Sequence, residues 1–355
     1  MRRLERKRTW IVIGLINSLV GITTSSAAPE YTILEHGLEC EQKIGPIPAF
    51  SCLDGEIIPI TLNGNPIINH VPLQKCDRPP LLGLGMSATE GQCVPFSRIG
   101  TLPGKNAQGQ EDPNIQWAFI CRRYKIRVDP NFPNFEDVAI IGHNKATGAT
   151  CFFQTLRYGG AEDGIKTTRV PPPAERPDAT PGGEIKAADF WYSPQETANI
   201  RCNRCHDSDA FIHTPHVDQV KRVVGGHDIP IVPPGPNLKA NPPEASRYNF
   251  VGEPFQAWPA PVRIQPLGNA CTSCHNIGSL TTCDRFTSAA TGSPTTGISD
   301  LFQTWPHSHW MPPDIEATGM TENDWAADFA ASAQKLIACC HDVSDPSCRR
   351  RAFDN

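Results

Sequence analysis

The residues with the clearest chemical capacity are two five-residue stretches, Cys202-Asn203-Arg204-Cys205-His206 and Cys271-Thr272-Ser273-Cys274-His275. Both read C-x-x-C-H, the attachment signature of a c-type haem. Two residues between the thiols, in one turn of backbone, let each sulfur reach one haem vinyl group and form a thioether. The imidazole that follows then points at the iron as the proximal ligand. The sequence therefore predicts two covalently bound haems as cofactors, held through Cys202, Cys205, Cys271 and Cys274, with His206 and His275 as proximal ligands. Two other readings use the same residues. A zinc site would take the two cysteine pairs as four ligands and leave the histidines incidental. A redox dithiol would not need a histidine directly after the second cysteine. Two matches in one chain argue against accident.

A short helix should present the first pair. Ser193-Pro194-Gln195-Glu196 has a capping serine, a proline at the first helical position and a glutamate at the third. The helix is expected to run through Ile200 into Cys202. Distal ligands must come from the opposite haem face. His213, His216 and His227 are the candidates that follow the first motif. His213 stands seven residues from His206 and suits the other haem better, whereas His227 follows the flexible pair Gly225-Gly226 and has room to return. Tyr248, Phe250, Phe255 and Trp258 are expected as packing around a haem rather than an electron relay.

The second motif is followed by Trp305-Pro306-His307-Ser308-His309-Trp310-Met311-Pro312-Pro313. Thr321 to Asp324 then starts a helix, with Trp325, Phe329, Ala333 and Leu336 at helical spacing and an end near Cys339. From Cys271 to about Cys340 this order of C-x-x-C-H, Met-Pro loop and terminal helix resembles that of small monohaem cytochromes c. The resemblance implies that Met311 is the distal ligand of the second haem and that the last helix packs near it. His309 and His307 are competing candidates for that ligand position. Met320 is expected to be packing.

The amino terminus, Met1 to Ala28, has a charged start, an apolar run from Trp10 to Ile22 and small residues at its end, the form of a secretory signal. The run is short for a membrane span, and no later stretch is long and apolar enough to cross a bilayer. Export to the periplasm or the cell surface of a bacterium is the expected localisation. Without its first 28 residues the chain keeps 27 basic and 36 acidic side chains. That balance disfavours nucleic acid as a partner, because phosphate binding needs clustered Lys and Arg. It favours a redox protein partner with a basic docking surface.

Fourteen cysteines are present, and the ten outside the motifs suggest disulfides in an exported protein. The expected pairs are Cys40 with Cys52, Cys76 with Cys93 and Cys121 with Cys151. Cys283 and Cys348 are expected to take one each of Cys339 and Cys340. Ile57 to Leu62, Gln116 to Val128 and the pair Asp137–His143 and Ala149–Tyr158 read as strands, the last two joined as a hairpin across Asn144 to Gly148. That hairpin would place Cys151 near Cys121. His36, His70 and His143 are isolated; each reads as an ordinary surface or loop histidine, with His143 the best placed of them to cap a haem. Thirty-five prolines mark irregular chain, and Val170 to Gly183 reads as an extended linker.

The expected fold is therefore α+β: a signal over 1–28, a disulfide-braced β-rich domain over 29–168, a Pro-rich linker over 169–184 and a loop-rich, mainly α dihaem domain over 185–355. Electron transfer by an exported dihaem c-type cytochrome is the leading functional expectation. The first alternative is a dihaem enzyme similar in plan to bacterial dihaem peroxidases, with one haem face open to substrate. That family also carries two C-x-x-C-H motifs, but the disulfide-rich front half does not match it. The second alternative is a subunit of a polymeric cytochrome, with self-association through the Pro-rich arms.

Overall fold

Alternation of side chains along the strands lets one sheet serve two different faces. In the computed structural model, β1 (Glu56–Ile57), β2 (Arg98–Leu102), β3 (Ile115–Arg122), β4 (Asp137–Asn144), β5 (Ala149–Leu156) and β6 (Asn249–Phe250) form one sheet in that order. Neighbours are antiparallel from β1 to β5. β6 comes from the second half of the chain and joins β5 in parallel. The expected hairpin forms as β4 and β5, and the expected strand after Gln116 forms as β3. The structure describes residues 30–62, 65–68, 94–125, 127–157, 164–283, 287, 321–342 and 344–353. The expected signal, His70, Cys76, Cys93, His307, His309, Met311 and Met320 lie outside the described residues.

On β3, Ile115, Trp117, Phe119 and Cys121 turn to one face and enter a cluster with Val138, Ile140, Cys151 and Phe153. Helix α1 (Ile33–Lys43) covers that face and contributes Ile33 and Cys40, and the short helix α2 (Ala187–Phe190) adds Ala187 and Phe190. Its start is fixed by Thr32 and Glu35, which exchange hydrogen bonds in a capping box. Ala118, Ile120, Ile141 and Phe152 turn to the other face, against Phe211, Val217, Tyr248 and Trp258. The architecture is α+β with disulfides, and Tyr31–Asn355 is one compact unit that includes the Pro-rich segment 169–184.

Four disulfides are formed among the described residues: Cys40–Cys151, Cys52–Cys121, Cys283–Cys340 and Cys339–Cys348. The expectation at the C-terminus holds. The expected pairs Cys40–Cys52 and Cys121–Cys151 are corrected, and the reason is the strand order. β4 lies between β3 and β5, and Cys121 stands opposite Val138 whereas Cys151 stands opposite Gly142, so the two cysteines are two strand spacings apart across the sheet and four residues apart along it, about 16 Å in all. A disulfide needs Cα atoms within about 7 Å. Each cysteine instead pairs with one from the layer covering the sheet, at Cα separations of 6.1 and 6.0 Å.

His36 on α1 is wholly buried between the rings of Phe153 and Phe255. Gly252, with φ +101°, passes so close that a Cβ there would stand 2.7 Å from His36 Nδ1. Burial pulls the His36 pKa down from the usual value to about 4. A depressed pKa means that stability is complete above pH 6.5, where the unfolded imidazole is neutral, and is lost as pH falls toward 4. Burial pushes Asp207 and Asp209 up to about 6, which acts in the opposite direction over the same window. The His36→Gln variant isolates the histidine. Between pH 7 and 4.5 it is expected to lose roughly 2–3 kcal/mol less stability than the parent chain in urea titrations; parallel pH profiles would refute the assignment.

Candidate functional site

Helix α3 (Pro194–Ile200) starts as its sequence predicts, with Ser193 and Glu196 capping each other and Pro194 in the first turn. It does not run into Cys202. Arg201 takes the left-handed conformation, φ 59° and ψ 54°, and ends the helix. A 3-10 turn then carries Cys202–Arg204. The Cys202 carbonyl accepts from Cys205 N–H at 3.1 Å and from His206 N–H at 2.9 Å. The second motif repeats this pattern. Cys271–Ser273 is a 3-10 turn, and the Cys271 carbonyl accepts from Cys274 N–H at 3.2 Å and His275 N–H at 3.0 Å. Asn269 Oδ1 caps that turn by accepting from the Cys271 and Thr272 amides.

The first motif opens on a cavity of about 390 Å³, within the range of cofactor pockets, about 300–1,000 Å³. Its apolar wall is the inner face of the sheet, including Ile99, Ala118, Ile141 and Phe152; Cys202, Cys205 and His206 stand on another wall. His206 packs edge-on to Phe152, with ring centres 5.8 Å apart. Its Nδ1 donates to the Ala210 carbonyl at 2.7 Å, which leaves Nε2 as the acceptor nitrogen of a neutral ring. Burial holds that ring neutral by lowering its pKa to about 4. Burial also pushes the Cys202 thiol up to about 12 and raises that of Cys271. One part of the cavity is polar. Arg122, Tyr124 and Gln154 line it and donate to the buried Asp137 at 2.7, 2.8 and 3.0 Å, while Arg201 lines the cavity and is exposed.

No family model, curated protein or solved structure matches this chain. The site is therefore read from its own chemistry.

Of the twelve described cysteines, eight are disulfide-bonded and the four outside these disulfides are Cys202, Cys205, Cys271 and Cys274. Among the described residues no three His, Cys, Asp or Glu side chains come together as a metal-holding group, so the two thiol pairs do not converge into the four-ligand set that a zinc site requires. A haem fits the first site better. It needs reduced thiols on one turn, an imidazole with a free Nε2, an apolar wall for the macrocycle and polar surroundings for its carboxylates. The cavity supplies each of these.

The distal candidates separate by place. His216, on α4 (Pro215–Asp218), is buried and lines the same cavity as His206. His213 has both ring nitrogens engaged, Nδ1 with Asp218 at 3.1 Å and Nε2 with the Pro233 carbonyl at 3.1 Å. His227 is exposed on a hairpin formed by Lys221–Val224 and His227–Pro230. His143 hydrogen-bonds Thr150 at 2.8 Å and lines a separate, polar cavity with Lys145, Asp209 and Glu244.

At the second site, Cys271 packs with Leu336, Cys339 and Cys348. Leu336 and Cys339 belong to helix α5 (Ala331–His341), and Asn269 and Ala270 donate to Ser332 at 2.7 and 3.0 Å. The terminal helix therefore lies against the second motif. The sequence reading did not single out Asp137, Arg122 or Asp207. Their only sequence signal is charge, which in a strand or a loop reads as solvent-facing.

Proposed function

We propose that this chain is an exported dihaem c-type cytochrome that carries electrons between redox partners. The observation that supports it most is the apolar cavity facing Cys202, Cys205 and His206, with all four motif thiols outside the disulfide set. At each site the two thiols would add across the haem vinyl groups, each sulfur bonding one carbon while its proton passes to the other. Bound haem supplies a one-electron couple at its iron. The residues do the rest. His206, held by Ala210 through Nδ1, would hold the iron through Nε2. His216 would be the second residue to hold the iron, because it is the buried histidine that shares this cavity with His206. The sheet keeps water from one side of the site, which raises the cost of a charge change and helps set the potential. The acidic balance of the chain after residue 28 suits a donor or acceptor with a basic docking surface.

Absorption and electron paramagnetic resonance spectra of the oxidised holoprotein, with and without cyanide, test this reading. Low-spin iron that is inert to cyanide is expected, and His216→Ala is expected to convert one site to a high-spin form that binds cyanide. A parent protein with an open, cyanide-binding haem would overturn the carrier in favour of an enzyme of peroxidase type.

A further inference from the structure

The loops that leave the two motifs are tied to each other, and the tie is built from buried polar groups. Asp207 follows His206 directly and is 4% exposed. Its Oδ2 accepts the Leu280 amide and its Oδ1 accepts the Thr282 hydroxyl, both at 2.6 Å. Thr282 Oγ1 in turn accepts from the Gly278 amide at 2.8 Å, which closes the loop that begins three residues after His275. Gly278 passes against the carboxylate so closely that a Cβ there would lie 2.4 Å from Asp207 Cγ. A second tie uses the segment that leads into β6. Tyr248 donates to the His206 carbonyl at 2.7 Å, and Ser246 accepts from Asn276, the residue after His275, at 2.7 Å. Ser246 and Tyr248 are 2% and 1% exposed.

A buried carboxylate is costly unless its oxygens are satisfied. Here the donors come from a loop more than seventy residues away in sequence. The bond geometry therefore specifies the relative placement of two distant segments, and both segments are the ones that carry the motif histidines. We propose that Asp207, together with Ser246 and Tyr248, is a positioning device that fixes the two attachment sites relative to each other for direct electron exchange between them. The inference rests on the dihaem reading. In that exchange one iron is oxidised as the other is reduced by the same electron, with no bond broken and no proton moved. Asp207 touches neither cofactor in this scheme; it acts through the backbones that hold His206 and His275.

The test uses the full-length holoprotein and the variants Asp207→Ala, Asp207→Asn and Thr282→Val. Covalent haem is counted first, and two per chain are expected in all four proteins. Intramolecular electron equilibration is then timed after flash reduction, and the magnetic interaction between the irons is measured by electron paramagnetic resonance. Asp207→Ala is expected to slow equilibration about tenfold and weaken the magnetic interaction, since such steps depend steeply on geometry. Asp207→Asn, which loses one acceptor, and Thr282→Val, which loses one donor, are expected to fall between it and the parent. The absorption spectrum of each individual site should stay unchanged, an outcome that general loosening would not give. If Asp207→Ala fails to mature, the two milder variants carry the test. Rates and magnetic coupling equal to the parent would overturn the positioning role while leaving the dihaem reading intact. A parent chain with fewer than two haems would overturn that reading itself.

Discussion

Replacing Cys202 and Cys205 together by alanine is expected to lower the covalent haem content from two per chain to one. The reasoning starts from the turn. The 3-10 geometry of Cys202–Arg204 brings both thiols to the wall of one cavity, and no other cysteine among the described residues lines it. His206 and the apolar sheet face remain in the variant, so residual non-covalent binding is expected, weaker and removable by acid and organic solvent. The paired variant Cys271→Ala, Cys274→Ala is expected to lose the other haem and keep this one. Intact-protein mass measurement after denaturation checks both. Two covalent haems surviving in either double variant would sink the assignment of those thiols, and equal loss of both haems from one variant would mean that the sites do not mature independently.

The second large effect concerns stability. Cys40–Cys151 has a sequence separation of 111 residues, but Cys52–Cys121 shortens the unfolded path between them to about forty residues, and in the chain-entropy account a closure of that size is worth about 4 kcal/mol. Both cysteines are fully buried in the cluster that α1 makes with the sheet, so their removal also leaves a gap in close packing. Cys339–Cys348 has a separation of only 9 residues, and the same account gives it about 2.6 kcal/mol. Urea unfolding of Cys40→Ala, Cys151→Ala is therefore expected to show a loss on the order of 4–5 kcal/mol, a large part of the 5–15 kcal/mol of a typical domain. Cys339→Ala, Cys348→Ala should lose less. The reverse order would show that strain in the folded state, rather than the entropy of the unfolded chain, decides the contribution of these bonds.

Local features were legible in the sequence, because local rules govern them. The capping box at Ser193 and Glu196, the β4–β5 hairpin across Asn144 to Gly148, and the two C-x-x-C-H turns are each specified within a few residues. The helix beyond Thr321 was legible for the same reason: Trp325, Ala333 and Leu336 are buried at the expected spacing. What was not legible depends on which strands become neighbours. The disulfides of the front half follow from β4 standing between β3 and β5, and no spacing rule supplies that order. The cavity was invisible for a related reason. Its thiols come from residues 202–206 and its apolar wall from strands in the front half, so neither part announces the other. Asp207 had the appearance of an ordinary loop carboxylate. Only contact with Leu280 and Thr282 gives it a role.

The nesting of the front-half disulfides has a consequence for how the chain matures. Cys52–Cys121 lies wholly inside Cys40–Cys151 in sequence. An oxidant that joins thiols in the order they emerge from a translocation channel would first couple Cys40 to Cys52, and the native set can then be reached only by exchange through mixed disulfides. Cys202 and Cys205 emerge after all four and, on the proposed dihaem reading, would have to stay reduced until haem attachment. On that reading, assembly calls for three separate activities, a thiol oxidant, an isomerase and a reductant that guards the C-x-x-C-H pairs, and a host lacking the isomerase should accumulate chains with Cys40 joined to Cys52.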